Sequence, residues 1–393
     1  MSKLILVTNP GSSSRKYALY EGEDCLATLH FEYEDNEVIC TAKFGDQKTK
    51  LKPEIKDVRE SAGQCEAILR DIGALCDDQK IDAVAARLVV ASPYFDCDHV
   101  VDEIVLAEAE KAKDRSPLHT ATNLNEIQFF KEQLPDLPVI AISDSAFHFT
   151  KPKEAFRYGL DAKLQDKIGL GRYGYHGISV NSIVEIMRKN SILPEKVIVC
   201  HLGSGASISA VKNGQSVDNS MGYSPLEGLM MATRTGNIDV SAALAIKREL
   251  KLDDAGLEQY LNKQAGLLGM SGKSDDMRLI LADEAAGDER AAETMKTYLY
   301  RLRKVIGEMA AALNGADAIV FTATVGERSA KVRQRLCAEL TYLGFELDNE
   351  KNNSADEAPV WANLAKESSK PIYMIRTDES REMARRASII LEK

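Results

Sequence analysis

Four absences narrow the possibilities before any motif is considered. No apolar stretch in the 393 residues approaches the length that crosses a bilayer, and the opening apolar run turns polar by Thr8. Neither a membrane span nor a signal peptide is expected, and the chain reads as cytoplasmic. The seven cysteines (Cys25, Cys40, Cys65, Cys76, Cys97, Cys200, Cys337) are odd in number and show no C-x-x-C spacing. That pattern fits reduced thiols and excludes a disulfide framework or a zinc knuckle. A basic surplus is missing too: the net charge is −10, which argues against a nucleic-acid partner. A small anion can still be held in a locally positive cleft. Finally, there is no H-E-x-x-H and no acid-rich calcium loop, so no metal site built from protein ligands alone is expected.

Two phosphate-loop fingerprints are present in outline and fail on context. "GLGRYG", 169–174, has the spacing of a dinucleotide turn but no apolar strand precedes it. "GMSGKS", 269–274, resembles a Walker A loop with Leu267 where its first glycine would stand. A phosphate site, if the chain has one, must be built another way.

What is present reads as an ordinary globular α/β protein, 44% hydrophobic and 28% charged, long enough for two or three domains. Periodicity predicts strands at 3–8, 17–20, 25–33, 37–44, 81–90, 138–143, 196–202, 316–323 and 371–375. Helices are predicted at 59–76, 103–113, 120–132, 179–190, through most of 238–314, from about Glu327, and at 379–391. Asn213-Gly214 is a type I′ hairpin signal, and polar 346–359 reads as a surface loop. Strand runs followed by βα alternation occur twice, and "VIVCHLGSGASISAV", 197–211, echoes the strand–turn–strand form of "LILVTNPGSSSRKYALY", 4–20. The expected architecture is two α/β domains facing across a cleft, a common place for ligands. The boundaries expected are 1–148 with 376–393 for one, and 149–375 for the other.

Three turns rich in Ser, Thr and Gly follow strands directly: "NPGSSS" (9–14), "HLGSG" (201–205) and "FTATVGE" (321–327). Ligands in α/β folds gather at such strand ends. Backbone N–H groups, hydroxyls and Lys16 together can surround a polyphosphate. Arg87 lies in the apolar strand "AVAARLVVA", and Arg234 in the Gly/Thr-rich "GLMMATRTGNID". Charges in such surroundings need partners, and a guanidinium fork suits carboxylate or phosphoryl oxygens. His176, between glycines and beside two tyrosines, is the best histidine candidate for a phosphate contact. Asp144 ends a buried strand, where a carboxylate can hold a nucleotide-bound magnesium.

In order along the whole chain, "NPGSSSRK", "SPLH", "SDSAFH", "RYGYHG", "HLGSGASI", "MGYSPLEGLMMATRTGNID", "GKSDDMR", "FTATVGE" and "RTDES" resemble the acetate kinase family, within the acetate and sugar kinase, Hsp70 and actin superfamily. The resemblance implies duplicated ribonuclease-H-like domains and reversible transfer of a phosphoryl group from ATP to acetate, giving acetyl phosphate and ADP. It also implies magnesium (or manganese) and a homodimer. Matched position by position, it places Asn9, Ser12, Ser14 and Lys16 around the metal and phosphates. Arg87 and Arg234 would hold the carboxylate and the phosphoryl group in flight, with His176 and His119 near that group. Asp144 and Glu379 would order the metal shell. Val89, Leu118, Tyr175 and Pro225 would line an acyl pocket. His201, Gly203, Ser204, Gly205, Asp276, Met277, Arg278, Thr324 and Gly326 would border the nucleotide.

Departures from the family pattern leave alternatives open. Arg87 lacks the usual flanking histidines and glycines, Ser204 replaces an asparagine, Asn237 an aspartate, and Tyr175 a phenylalanine. Thr324 and Arg328 stand where a glycine and an asparagine are usual. Propionate or another short acid, a pyrophosphate donor, and a nucleotide-binding homologue without catalysis therefore remain as further readings.

Overall fold

The computed structural model describes residues 3–11, 14–113 and 117–392. The chain divides into two compact units: 1–146 with 177–182 and 378–393, and 147–176 with 183–377.

The first unit is built on eight strands: β1 (Leu4–Pro10), β2 (Ser14–Glu21), β3 (Asp24–Glu34), β4 (Glu37–Phe44), β5 (Gln47–Leu51), β6 (Ala83–Leu88), β7 (His99–Val100) and β8 (Val139–Ser143). Their order across the sheet is β5-β4-β3-β2-β1-β6-β8-β7. β1 is apolar on both faces because both are covered. Leu4 and Leu6 join a core that includes Leu69 of the helix Cys65–Asp71 and Ile127 and Phe130 of the helix Pro117–Gln133. Ile5 and Val7 pack in a core with Met383, Ala384 and Ala387 of the helix Glu379–Leu391. Each such side chain contributes about 1.5–3 kcal/mol on burial, so β1 is a firm base for the turn that follows it.

The second unit carries β9 (Lys196–Leu202), β10 (Ala206–Lys212), β11 (Gln215–Asn219), β12 (Ala318–Thr322), β13 (Trp361–Asn363) and β14 (Ile372–Ile375), in the order β11-β10-β9-β12-β14-β13. Its first three strands pair antiparallel, and β9, β12 and β14 run parallel. The first unit repeats the same scheme with β1, β2 and β3 antiparallel and β1, β6 and β8 parallel. The two core sheets thus share one strand order and one set of senses, which is the duplicated α/β architecture expected from the two strand–turn–strand echoes. At the β10–β11 turn, Asn213 and Gly214 both have positive φ, at 53° and 75°, as a type I′ turn requires.

Several local expectations need correction. The helix expected over 59–76 is a 3-10 segment, Val58–Gln64, followed by a short α-helix. The loop expected over 346–359 contains a helix, Asn349–Asn353, started by the Asp348 carboxylate on the N–H groups of Glu350 and Lys351. The short strands β5, β7 and β13 were not expected. Both phosphate-loop look-alikes are structural: Gly169 and Gly272 end helices at φ 61° and 69°, and Lys273 pairs with Asp288 at 2.6 Å. No helix among the described residues is long and apolar enough to cross a membrane.

Candidate active site

In the first unit the chemistry-bearing groups stand where parallel strands end. Asn9 lies at the end of β1, Arg87 near the end of β6, and Asp144 directly after β8, its N–H bonded to the Leu88 carbonyl at 3.0 Å. Arg87 Nη2 donates to Asp144 Oδ1 at 3.1 Å, and Nη1 donates to Glu379 Oε2 at 3.2 Å and to Asn9 Oδ1 at 3.5 Å. Burial alone would lower the Arg87 pKa. The charges of Asp144 and Glu379 outweigh it and hold the group above its ordinary value, so it stays a cation. Its Nε is buried and has no partner among the described residues. A buried donor of that kind is suited to an acceptor that the chain does not supply.

Asp144, Glu379 and Asn9 present two carboxylates and an amide oxygen around one guanidinium. This all-oxygen set fits a hard cation such as magnesium, which prefers one or two carboxylates and completes its shell with water and substrate phosphate. The strand end is braced from behind. Arg386 forms an ion pair with Asp98 and donates to the Ser143 carbonyl at 3.1 Å, while Asp98 accepts from the Ser143 N–H at 2.9 Å.

The turn between β1 and β2 is closed by the Gly11 N–H on the Ser14 carbonyl at 2.9 Å. Register places exposed Lys16 opposite Asn9. Ser12 and the side chains of Leu118 and His119 lie outside the described residues. Buried Val89 is held through its backbone: its N–H donates to Asn123 Oδ1 at 3.0 Å and its carbonyl accepts from Thr120 Oγ1 at 2.8 Å. Neither Thr120 nor Asn123 was picked out from the sequence. Their signal was polar residues three apart, on a helix whose neighbouring positions reach the core.

In the second unit buried His201 lies near the end of β9, and the turn to β10 carries Gly203, Ser204 and Gly205. The His176 ring stacks on the His201 ring at 4.1 Å, and His176 Nδ1 meets Ser207 Oγ at 3.0 Å. Ser207 is a further partner that the sequence did not single out. A Cβ built on Gly205 would stand 3.3 Å from His176 Nε2 and 3.6 Å from Arg234 Nη1. Both side chains therefore converge over this glycine, leaving backbone rather than side chain beneath them. Burial pulls the Arg234 pKa below its ordinary value, and Tyr175 pushes partly the other way. The Arg234 loop is tight. Gly228 and Gly236 have φ of 107° and 72°, and a side chain on either would run into backbone 2.4–2.5 Å away. Asn237 closes it, accepting from the Gly228 N–H at 2.7 Å and donating its own N–H to the Gly228 carbonyl at 2.9 Å. An asparagine oxygen does here what a carboxylate would do.

Tyr175 and Pro225 are buried. The Tyr175 hydroxyl donates to the Tyr223 carbonyl at 2.9 Å, so it is satisfied within the protein. Tyr175→Phe is therefore expected to lower stability by about 1 kcal/mol and to leave the preference between short acids within about twofold. Thermal unfolding and the ratio of kcat/KM for two acids check this; a larger change in the ratio would put the hydroxyl against the substrate.

At the end of β12, Ala323 adopts a left-handed φ of 63°, a conformation that costs a non-glycine residue about 1–2 kcal/mol. Glu327 holds it there: its Oε1 accepts from the Ala323 N–H at 2.9 Å and the Thr377 N–H at 3.1 Å. Fully buried Arg333 then binds the carbonyls of Gly326 and Glu327 at 2.9 and 2.6 Å. Strain held in place by such a network is common at functional turns. Glu327 and Arg333 carried no sequence signal of their own. Thr324 and Arg328 are exposed. Asp276 starts the helix Met277–Ala285 and pairs with Arg278 at 2.6 Å; Arg278 pulls the Asp276 carboxyl below its usual range.

Comparison with known proteins gives a consistent result. Residues 4–385 match the model of the acetokinase family. An acetate kinase of Clostridioides difficile is 38% identical over 392 residues, 97% of this chain and 98% of that one. The crystal structure of Porphyromonas gingivalis acetate kinase superposes with a TM-score of 0.88 at 31% identity, covering 100% of both chains. A propionate kinase from Francisella tularensis gives 0.89 at 31% identity over 98% of each.

Proposed function

The chain belongs to the acetokinase family, and we propose on that premise that it transfers the γ-phosphoryl group of ATP to acetate, reversibly, giving acetyl phosphate and ADP. The observation that carries this reading is the Arg87 cluster. One guanidinium, near the end of β6, is fixed by Asn9 and Asp144 at the ends of β1 and β8 and by Glu379 at the start of the helix Glu379–Leu391, with a buried N–H left over.

The acid's carboxylate oxygen attacks the γ-phosphorus in line, and the bond from that phosphorus to the β,γ-bridging oxygen breaks. A carboxylate is already a nucleophile at neutral pH, so no strong base is needed. The obstacle is repulsion between two anions, which positive groups must offset. Arg87 and Arg234 hold the carboxylate and the transferring oxygens, and His176, oriented by Ser207, offers Nε2 to a phosphoryl oxygen. Magnesium (or manganese), held through Asp144, Glu379 and Asn9, would neutralise phosphate charge. Ser12, Ser14, Lys16 and His119 contact phosphates. His201, Gly203, Ser204, Gly205, Thr324, Gly326 and the Asp276–Arg278 segment border the nucleotide. Val89, Leu118, Tyr175 and Pro225 limit the acid to a short one.

A homodimer in the cytoplasm is the proposed working form. Val240 and Leu244, one turn apart on the helix Val240–Glu249, are 74% and 45% exposed, which supports a covered face in the assembled protein. Propionate is the second reading, favoured by the match to a propionate kinase; one methylene changes selectivity by only about 1–3 kcal/mol.

The test is to incubate the purified protein with magnesium, ATP and acetate and trap acyl phosphate with hydroxylamine. Propionate, butyrate and a pyrophosphate donor run in parallel. Acetate with ATP is expected to give the highest kcat/KM. A higher value for another acid or donor would reassign the substrate, and nucleotide binding with no product from any acid would point to a non-catalytic homologue.

A further inference from the structure

Arg15, next to the β1–β2 turn, does not face solvent. It is 4% exposed and pairs through Nε with Glu126 Oε2 at 3.2 Å. Its Nη1 turns to the turn itself, donating to the Gly11 carbonyl and to the Ser14 carbonyl at 3.2 Å. Glu126, also 4% exposed, sits on the helix Pro117–Gln133 and takes two more donors, Thr8 Oγ1 at 2.9 Å and the Tyr17 hydroxyl at 2.6 Å. Tyr17 in turn meets Ser61 Oγ at 2.9 Å. The carboxylate is thus anchored from β1, from β2 twice, and from its own helix.

A buried ion pair is seldom a net source of stability, since desolvating two charges offsets most of their attraction. This pair does something a hydrophobic pair could not. It uses one guanidinium to join a fixed carboxylate to the carbonyls at both ends of one turn. The same helix, through Thr120 and Asn123, also holds the backbone at Val89, two residues beyond Arg87.

We propose that Arg15, locked by Glu126, is a positioning residue that sets the β1–β2 turn before the nucleotide arrives and so determines the affinity for its phosphates. The inference rests on the reading of this turn as a phosphate loop. Arg15 touches no substrate; it acts by fixing Gly11 and Ser14, and with them the positions of Asn9 and Lys16. A turn without that brace must be ordered at the moment of binding, and that cost appears in nucleotide affinity.

The experiment compares wild type with Arg15→Met/Glu126→Gln, which removes both charges together and leaves neither buried alone, and with Arg15→Lys. The lysine keeps a charge for Glu126, but one ammonium lacks the fork that reaches both turn carbonyls. Calorimetry with magnesium-ATP gives the dissociation constant, and the hydroxylamine assay gives both KM values. The double variant is expected to weaken nucleotide binding and raise the nucleotide KM about tenfold or more, with the acetate KM within about twofold. Arg15→Lys is expected to recover only part of this. A folded double variant, judged by its melting temperature, with an unchanged nucleotide KM overturns the proposal. Should the double variant not fold, Arg15→Lys decides: full wild-type affinity overturns it and a loss of about threefold or more sustains it. Wild type alone tests the phosphate-loop reading, because a protein that binds no magnesium-ATP fails there before any variant is compared.

Discussion

Arg87→Ala is expected to lower kcat about 10³-fold or more while the protein still folds. Two effects add. The transferring group loses a cation and a buried N–H donor, in surroundings where charge is poorly screened by water. Asp144 and Glu379 also lose the group that lies between them, at 3.1 and 3.2 Å from the guanidinium. Two carboxylates left facing one site repel each other and change how it takes a divalent cation. The magnesium concentration giving half-maximal rate is therefore expected to move together with kcat in this variant. Arg87→Lys should recover less than about tenfold of the loss, since an ammonium cannot reach Asp144, Glu379 and Asn9 at once. Steady-state rates over a magnesium series check all three points, and near-normal turnover of Arg87→Ala would remove the residue from the mechanism.

Arg234→Ala belongs to the other unit and is expected to match that loss in kcat, about 10³-fold or more, with a different signature. Arg234 Nη1 donates to Met231 Sδ at 3.8 Å, and burial depresses its pKa. A desolvated guanidinium beside the His176 ring gains most when an oxyanion arrives, which is how a group stabilises a transition state more than a ground state. The half-maximal magnesium concentration should stay within about twofold, because the proposed metal ligands Asp144, Glu379 and Asn9 gather on the Arg87 guanidinium. Removing the side chain also opens the space over Gly205, so the melting temperature must be measured beside the rate. A variant that folds and turns over normally would show that the loop Gly228–Asn237 serves structure alone.

Much of this was legible in the sequence where local rules decide. A charge inside "AVAARLVVA" demands partners, and Arg87 has them. Asn213-Gly214 permits one hairpin turn, and it is there. The two strand–turn–strand echoes mark the corresponding strands of two sheets. What could not be read depends on long separations or on edges. Glu379 meets Arg87 across 292 positions and Glu126 meets Arg15 across 111, and no periodicity reports such pairs. Glu379 was reached only through resemblance, and Glu126 was not reached at all. β5, "QKTKL", was missed because an edge strand that faces water is charged and carries no apolar alternation. The helix Asn349–Asn353 was missed because a single carboxylate cap starts it within a polar segment. Arg333 looks like any helix arginine; only its four bonds to Asn352, Gly326 and Glu327 reveal it as a brace.

The most direct single measurement follows the phosphoryl group itself. Wild-type protein with magnesium, acetate and ATP labelled in its γ-phosphate is quenched at short times, and the labelled products are separated. Label passing from ATP to acetyl phosphate, with ADP formed in equal amount and no labelled free phosphate preceding it, is the expected result. Label released only as free phosphate, at a rate indifferent to acetate, would contradict direct transfer to the carboxylate.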